Sequence, residues 1–390
     1  MTTLTLTPEV RTAPAAPTQP APSVRRADID WVRIAAFGLL IVYHVGLVYA
    51  PWDWHVNSSH RVEELKYAAL IMNPWRLTLL FFISGVAFRL MSRNAAPEQA
   101  IWQRLTRLAP PFLFGVLVLV PPQAWLEATA KGTFHEGFVA WWLAAFSPEG
   151  IADGVPINHL WFVLYIGVYT LIAAPLLGKP QLVAKLEAAL ERTLSGWRLI
   201  VAPMLYLIVV RQMMLGWFGV TNHLQNDWYN HAASFATFLL GFLIAKREGV
   251  WRDFERLRWV FLACALAALP LLMAMTGRTG VVDFYVRQAA FGIVQWGAIG
   301  AALGFARNLL KDARGPALTY LSRAIFPCYL AHQTVIVMAA YALKPAGLPL
   351  ALEAGLLLFA TLAGTLLVYE IVRRVPALGP LWGLNNKARS

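Results

Sequence analysis

Residues 29–44 of this 390-residue chain read Ile29-Asp30-Trp31-Val32-Arg33-Ile34-Ala35-Ala36-Phe37-Gly38-Leu39-Leu40-Ile41-Val42-Tyr43-His44. The stretch is apolar enough to predict a membrane-spanning helix, yet it carries Arg33 and His44. Eleven helical steps separate these two residues; they make three turns plus roughly 20° and rise about 16 Å, so both side chains share one face. Ionisable groups in a membrane helix usually face the protein interior or a wet cavity. The pattern therefore predicts an arginine that binds an anionic ligand and, deeper in the protein, a histidine that acts as a base.

The composition indicates an integral membrane protein. Mean hydropathy is +0.55, and only 14% of the residues are charged, whereas a soluble domain carries about a quarter. The fold prediction is an all-α, polytopic membrane protein. Windows of about 20 residues predict ten transmembrane helices, which lie near 29–50, 67–91, 108–128, 158–178, 199–219, 231–246, 259–276, 286–306, 321–343 and 351–372.

The net charge of +12 is distributed in a way that predicts topology. Most Lys and Arg residues fall in alternate loops, so by the positive-inside rule we expect both termini in the cytoplasm. We expect this charge to attract anionic lipid and not nucleic acid. The domain prediction is a disordered cytoplasmic tail over 1–27, a ten-helix membrane domain over 28–375 and a short cytoplasmic tail over 376–390. Residues 1–27 lack the apolar region of a cleaved signal peptide.

The sequence carries no motif for a metal or a nucleotide-binding loop. Cys264 and Cys328 both fall in apolar segments and are expected to be buried, inert thiols. Metal-ligand spacings, a Walker A loop and a GxSxG elbow are all missing from the sequence. We therefore expect no metal site and no permanently bound cofactor.

Three further arginines are candidates for ligand binding. Arg76 follows Asn73 and Pro74, and the proline is expected to bend the second helix. Arg76 then either binds an acidic group or a developing oxyanion, or extends outward to the membrane surface. Arg104 and Arg107 precede the third predicted helix, where they either bind phosphates bidentately or are ordinary positive-inside charge.

Two further histidines and several aromatic loops are the remaining candidates. His159 opens the fourth predicted helix, and His332 lies midway through the ninth; each is either structural or functional. Aromatic rings beside polar groups predict a carbohydrate-binding surface in the outward loops, and the alternative is the usual aromatic belt of membrane proteins. These loop strings are Trp52-Asp53-Trp54-His55, Trp141-Trp142 and Asn222-His223-Leu224-Gln225-Asn226-Asp227-Trp228-Tyr229-Asn230-His231.

Together these strings resemble the membrane-bound acyltransferase 3 family. The spacing of Arg33 and His44 is similar to that family's signature, and the match covers roughly residues 25–375. Four later strings resemble further blocks of the family in the same order, namely Leu79-Leu80-Phe81-Phe82-Ile83-Ser84-Gly85, Arg104-Leu105-Thr106-Arg107-Leu108-Ala109-Pro110, His159-Leu160-Trp161-Phe162 and Tyr329-Leu330-Ala331-His332. The third string and Asn73-Pro74-Trp75-Arg76 look most like the branch that succinylates osmoregulated periplasmic glucans.

The resemblance implies a membrane acyltransferase that moves an acyl group from cytoplasmic acyl-CoA to a hydroxyl of a periplasmic or surface glycan. Succinyl-CoA or acetyl-CoA would be the co-substrate. The resemblance implies that Arg33 contacts the acyl donor and that His44 is the essential histidine. We expect three more donor-binding residues, namely Arg76, Arg104 and Arg107. The residues expected to bind or support the acceptor are Asn73, His159, Trp161, Asp227 and His332.

The chain departs from the family pattern at one place. Many O-acetylating members show a Trp-Ser-Leu-x-x-Glu-like string where this chain has Trp161-Phe162-Val163-Leu164-Tyr165-Ile166, which has no acid. This departure counts against simple acetyl transfer. It also leaves open which residue orients His44, with Asp53, Asp227 and Asp283 as candidates.

The expected setting is the bacterial inner membrane, with a multi-pass topology. The expected partners are the lipid bilayer, acyl-CoA and a glycan or other hydroxyl acceptor; nucleic acid is not among them, and a homo-oligomer is left open. The alternative function is a transporter or flippase for a glycan or lipid-linked precursor. In that case Arg33 and His44 would line a permeation path without covalent chemistry.

Overall fold

The computed structural model describes residues 26–92 and 95–384. Over these residues the chain forms helices and no strand, so the all-α prediction is confirmed. The helices are α1 (Ala27–Val48), α2 (Leu65–Met72), α3 (Arg76–Met91), α4 (Pro97–Phe114), α5 (Val120–Ala130), α6 (Phe138–Ala145), α7 (Pro148–Asp153), α8 (Trp161–Ala173), α9 (Pro180–Thr193), α10 (Arg198–Phe218), α11 (Trp228–Ile244), α12 (Glu248–Ala274), α13 (Val281–Leu310), α14 (Pro316–Leu343) and α15 (Leu350–Arg374).

Nine helical segments in the described part of the chain are long and apolar enough to cross a membrane. They correspond to nine of the ten predicted spans, and the multi-pass architecture is confirmed. The remaining prediction, 231–246, corresponds to α11, whose 17 residues fall short of the about 20 that a membrane-spanning helix usually needs. The nine segments are Ala27–Val48, Leu65–Met91, Pro97–Ala130, Asn158–Gly178, Arg198–Phe218, Glu248–Ala274, Val281–Leu310, Pro316–Ala346 and Leu350–Arg374.

The first predicted tail lies mostly outside the described residues, and the second lies outside them only in part. Of the tail predicted over 1–27, residues 1–25 are outside, and Ala27 already begins α1. Of the tail predicted over 376–390, residues 385–390 are outside. Pro376–Trp382 forms a 3-10 helix, and the ring of Trp382 lies 5.4 Å from that of Phe114. The cytoplasmic position of both termini remains a prediction.

The central position of α1 is what places Arg33 and His44 inside the bundle. This helix contacts α3, α13, α14 and α15. Its buried residues Val32 and Ala36 belong to one hydrophobic cluster, which includes residues of α10, α12 and α13. Leu40 belongs to a second cluster, which includes residues of α8, α11 and α14. Because apolar side chains surround the helix on both sides, Arg33 and His44 are partly buried within the bundle.

Two glycines allow α3 and α11 to touch through their backbones. A Cβ atom on Gly85 would lie 1.9 Å from the carbonyl oxygen of Phe238, and one on Gly241 would lie 2.2 Å from that of Phe82. Small residues at such contacts let membrane helices approach closely. The Ser84-Gly85 string therefore has a packing role, and the contact fixes α3, whose first residue is Arg76.

The segment Pro97–Ala130 is one long span with an irregular centre. Residues Gly115–Leu119 form a π-helical turn between α4 and α5. Pro121 and Pro122 lack backbone N–H groups, so carbonyls in the preceding turn need other donors. The indole of Trp142 donates to the carbonyl of Leu117 (3.0 Å), and the hydroxyl of Thr334 donates to that of Leu119 (2.7 Å). These bonds tie the irregular turn to α6 and α14.

Candidate active site

Three histidines that are far apart in the sequence meet inside the bundle. His44 lies near the end of α1, His159 lies in the 3-10 turn Asn158–Leu160 before α8, and His332 lies midway along α14. The ring of His332 is central, with its centroid 5.1 Å from that of His44 and 5.0 Å from that of His159. His159 and His332 are buried, whereas His44 is partly exposed. We call these three residues the histidine cluster.

Hydrogen bonds connect the histidine cluster to the backbone of α14. The Nε2 atom of His332 lies 3.3 Å from the Nδ1 atom of His44, and its Nδ1 atom lies 2.5 Å from the carbonyl oxygen of Tyr329. His159 bonds through Nε2 to the carbonyl of Leu330 (3.2 Å). The hydroxyl of Tyr329 donates to the carbonyl of His159. Each ring of the cluster thus has at least one fixed polar neighbour.

The polar neighbour of His44 is His332, and among the described residues none of the three aspartates left open as its orienting partner bonds to it. Asp227 is buried and accepts from the hydroxyl of Tyr165 (2.7 Å) and from the backbone N–H groups of Thr221 (3.0 Å) and Asn222 (3.1 Å). It therefore stabilises the loop before α11. The other two candidates form ion pairs elsewhere, Asp53 with Arg61 (3.5 Å) and Asp283 with Arg278 (3.9 Å).

Arg76 is a buried cation close to the histidine cluster. Only 2% of the residue is exposed, so the alternative that it extends outward to the membrane surface is wrong. Its guanidinium lies 3.8 Å from the centre of the Tyr43 ring, and its charge acts electrostatically on His44 and His332. Its Nε and Nη1 atoms are buried with no hydrogen-bond partner among the described residues. Such a group costs free energy unless a bound anion satisfies it.

A second group of positively charged side chains lies near the beginning of α1, at the other end of the helix from His44. A cavity of about 150 Å³ is lined by Arg33, Arg104 and Arg107, and most of its remaining lining is apolar. Arg33 bonds to Asp30 (3.1 Å) and to the carbonyl of Ser322 (3.4 Å). Arg104 lies close enough to Arg33 and Arg107 for their charges to repel. We call this the arginine cavity; it combines the charge that phosphates favour with a surface for an apolar chain.

Two aromatic rings separate the arginine cavity from the histidine cluster. Phe37 and Tyr329 both line the cavity, and both also contact His332, with ring centroids 5.9 Å and 5.6 Å away. The cavity and the cluster are therefore neighbouring compartments along α1, one ring layer apart.

A polar network on the other side of His44 was not predicted, although two of its members, Trp54 and His55, belong to a loop string expected to bind carbohydrate. Trp54 stacks on His44 with a centroid distance of 6.3 Å and contacts His55 at 4.9 Å. His55 bonds to Glu127, and the side-chain amide of Gln333 lies 2.7 Å from its Nε2 atom. The available signal was an acid inside the third predicted span, since ionisable residues within membrane helices are usually functional.

The other expected support residues lie in less central places. Trp161 begins α8 and packs against Phe81 (6.1 Å) and Tyr165 (4.9 Å). Asn73 is exposed where α2 ends. Among the described residues neither Asn73 nor Asp227 forms a hydrogen bond with the histidine cluster. Over the same residues no group of three or more His, Cys, Asp or Glu side chains is arranged to bind a metal ion.

The described residues thus form a multi-pass helical membrane bundle that holds three histidines beside an arginine-lined cavity. The sequence model of the acyltransferase 3 family, described as an acyltransferase domain, matches residues 26–370. The chain belongs to this family and is an O-acyltransferase of the membrane. The resemblance seen in the sequence is thereby confirmed, and the transporter alternative is not favoured.

The chain is also similar to individual proteins of known name. Over 381 residues the chain is 24% identical to the glucans biosynthesis protein C of Escherichia coli (strain K12). The aligned region covers 92% of this chain and 94% of the relative. The protein of the same name from Escherichia coli O9:H4 (strain HS) gives the same identity and coverage. No solved structure matches the chain.

Proposed function

We propose that the protein transfers a succinyl group from succinyl-CoA to a hydroxyl of a periplasmic glucan, across the bacterial inner membrane. The observation that carries the proposal is the order of features along α1, where the arginine cavity and the histidine cluster follow one another. The printed name of the Escherichia coli relatives supports a glucan as the acceptor. With the arginine cavity towards the cytoplasm, donor and acceptor reach His44 from opposite sides.

The donor binds first at the arginines. Arg33, Arg104 and Arg107 attract the phosphates of CoA, since guanidinium groups bind phosphate bidentately. The thioester-bearing arm then follows the apolar part of the cavity. It covers the rise of about 16 Å from Arg33 to His44 and passes the rings of Phe37 and Tyr329.

His44 supplies the base at the end of this path. It takes the proton of the acceptor hydroxyl while that oxygen attacks the thioester carbon. The C–S bond breaks, and the proton passes from His44 to the departing CoA thiolate. In the second route a ring nitrogen of His44 attacks the thioester carbon, the C–S bond breaks and CoA leaves as its thiolate. The acceptor oxygen then attacks the acyl carbon, the N–C bond to His44 breaks, and the hydroxyl proton passes to the thiolate. Ping-pong kinetics distinguish the second route from direct transfer.

Arg76 makes succinyl a better fit than acetyl. Its buried Nε and Nη1 atoms are donors without a partner among the described residues, beside the ring that precedes His44 in the sequence. The distal carboxylate of a succinyl group satisfies these donors once the thioester carbon is at His44. An acetyl group has no carboxylate and leaves the Nε and Nη1 donors of Arg76 unsatisfied.

Mass spectrometry of periplasmic glucans tests the proposal. The samples come from cells with the wild-type chain, cells without it and cells with His44→Ala, at matched abundance in the membrane. The exposed loop residue His135 provides a matched control, His135→Ala. We expect succinyl esters with the wild type and His135→Ala alone. Identical glucan profiles in all four samples would exclude the glucan as the acceptor.

A further inference from the structure

The contact between His332 and His44 specifies which nitrogen of His44 is free to react. We infer that His332 is a positioning residue that keeps the hydrogen of neutral His44 on Nδ1 and leaves Nε2 bare. The inference rests on the proposed role of His44 as the base or nucleophile. It adds the residue that prepares His44 for that role, which the sequence left open.

The assignment begins at the backbone of α14. The carbonyl oxygen of Tyr329 can only accept, so the Nδ1 atom of His332, 2.5 Å away, carries a hydrogen. A neutral imidazole has one such hydrogen, which makes its other nitrogen an acceptor. The Nε2 atom of His332 therefore accepts from the Nδ1 atom of His44 over 3.3 Å. Since His44 then has its single hydrogen on Nδ1, its Nε2 atom keeps its lone pair.

The surroundings of His332 favour the neutral form that this chain of bonds needs. The residue has an exposed fraction of 0%, and the cation of Arg76 acts on it. Within the described part of the chain, no carboxylate bonds to its ring. A charged imidazolium would be costly there, and it would also reverse the bond to His44 and place the hydrogen of His44 on Nε2.

Packing holds the ring of His332 in one orientation. The ring of Tyr329 stacks on it at 5.6 Å, and the rings of Phe37 and His159 meet it edge-on at 5.9 Å and 5.0 Å. Tyr329 is in turn fixed by the bond from its hydroxyl to the carbonyl of His159. Supporting contacts of this kind keep a catalytic group in its productive geometry.

The consequence for the reaction is a defined proton path. When the Nε2 atom of His44 takes the hydroxyl proton, the Nδ1–H group of the resulting imidazolium still donates to His332, now as a charge-assisted bond. The same Nε2 atom later returns the proton to the thiolate. His332 gives up no proton in either step, so its part is to orient His44 and to stabilise its charged form. The aspartate of a serine protease triad has a comparable part.

The inference is tested by nitrogen-15 NMR of the histidines in the purified full-length chain in nanodiscs. The chain has eight histidines, and the signal that disappears in His44→Gln identifies His44. In the wild type we expect a protonated Nδ1 and an unprotonated Nε2 on His44. In His332→Ala we expect the Nε2-protonated form to appear. A wild-type His44 with its hydrogen on Nε2 would overturn the inference.

Kinetics with succinyl-CoA provide the second readout. We expect His332→Ala to lower kcat by up to about 10⁴, the loss seen when the catalytic histidine of a serine protease loses its orienting aspartate, with an unchanged KM for succinyl-CoA. His332→Gln keeps a side-chain oxygen that can accept from Nδ1–H, so we expect it to restore part of kcat and the wild-type His44 signal. Equal kcat values for the Gln and Ala variants, with His44 protonated as in the wild type in both, would refute the positioning role. The NMR result needs no acyl transfer, so it stands apart from a failure of the proposed function.

Discussion

The guanidinium of Arg76 lies 3.8 Å from the centre of the Tyr43 ring, next to His44 in the sequence. The arginine is buried, and the ring faces its charge where a carboxylate would otherwise be expected. An aromatic ring offsets only part of the cost of burying such a charge, so the site is prepared for an anion. The proposed role of Arg76, which is to bind the succinyl carboxylate, therefore predicts a preference for succinyl over acetyl donors.

Arg76→Gln is expected to lower kcat/KM for succinyl-CoA by about 10- to 100-fold, since a hydrogen bond to a charged group contributes about 1.5–3 kcal/mol. Transfer from acetyl-CoA should change little, because acetyl has no carboxylate. The measurement is the rate of ester formation with each donor. The exposed Arg278, which pairs with Asp283, provides the control Arg278→Gln. Equal losses with both donors would remove Arg76 from acyl recognition.

The arginine cavity yields a prediction about the CoA phosphates, which lie at the opposite end of the donor from the acyl group. Arg104→Ala and Arg107→Ala should each lower kcat/KM for succinyl-CoA by about 10- to 100-fold through lost charged hydrogen bonds to phosphate. With succinyl-pantetheine, which has no phosphate, both variants should match the wild type. Arg252→Ala on the exposed face of α12 is the control. If Arg104 and Arg107 serve only the membrane topology, both variants will have the same kcat/KM as Arg252→Ala with succinyl-CoA and with succinyl-pantetheine. That result would contradict the prediction.

The contact between α3 and α11 allows a test of the fold. Gly85→Ala places a Cβ atom 1.9 Å from the carbonyl oxygen of Phe238, so two backbones must move apart. We expect a loss of about 1–3 kcal/mol, as for other overpacked sites. Thermal unfolding in detergent measures it as a lower Tm. Gly167→Ala on α8 has nothing within 4 Å of the new Cβ atom and should keep the wild-type Tm or raise it. A Gly85→Ala protein as stable as that control would contradict the close contact.

The sequence predicts those features that depend on local patterns. The apolar stretch around Arg33 predicts α1, and helical spacing places Arg33 and His44 on one face. The structure brings Arg33 to the arginine cavity with Arg104 and Arg107, which the sequence marks as candidates for phosphate binding. The helix expected over 231–246 is present as α11, but its 17 residues are fewer than the about 20 that a membrane-spanning helix usually needs.

The long-range contacts could not be read from the sequence. His44 and His332 meet because α1 packs on α14, and no local pattern records which two helices are neighbours. No local pattern records that His55 meets Glu127 and Gln333 either, because His55 lies in a loop, Glu127 near the end of α5 and Gln333 in α14. Arg76 is buried beside Tyr43 of α1, and no local pattern records this contact between two helices, so the sequence left two alternatives open.

The central claim is that His44 carries out acyl transfer from acyl-CoA. Its most direct test uses the purified chain in nanodiscs with isotope-labelled succinyl-CoA and a periplasmic glucan, followed by mass spectrometry of the glucan. The wild type and His135→Ala should both place labelled succinyl ester on the glucan, and His44→Ala should place none. Labelled ester formed by His44→Ala at the wild-type rate would contradict the claim.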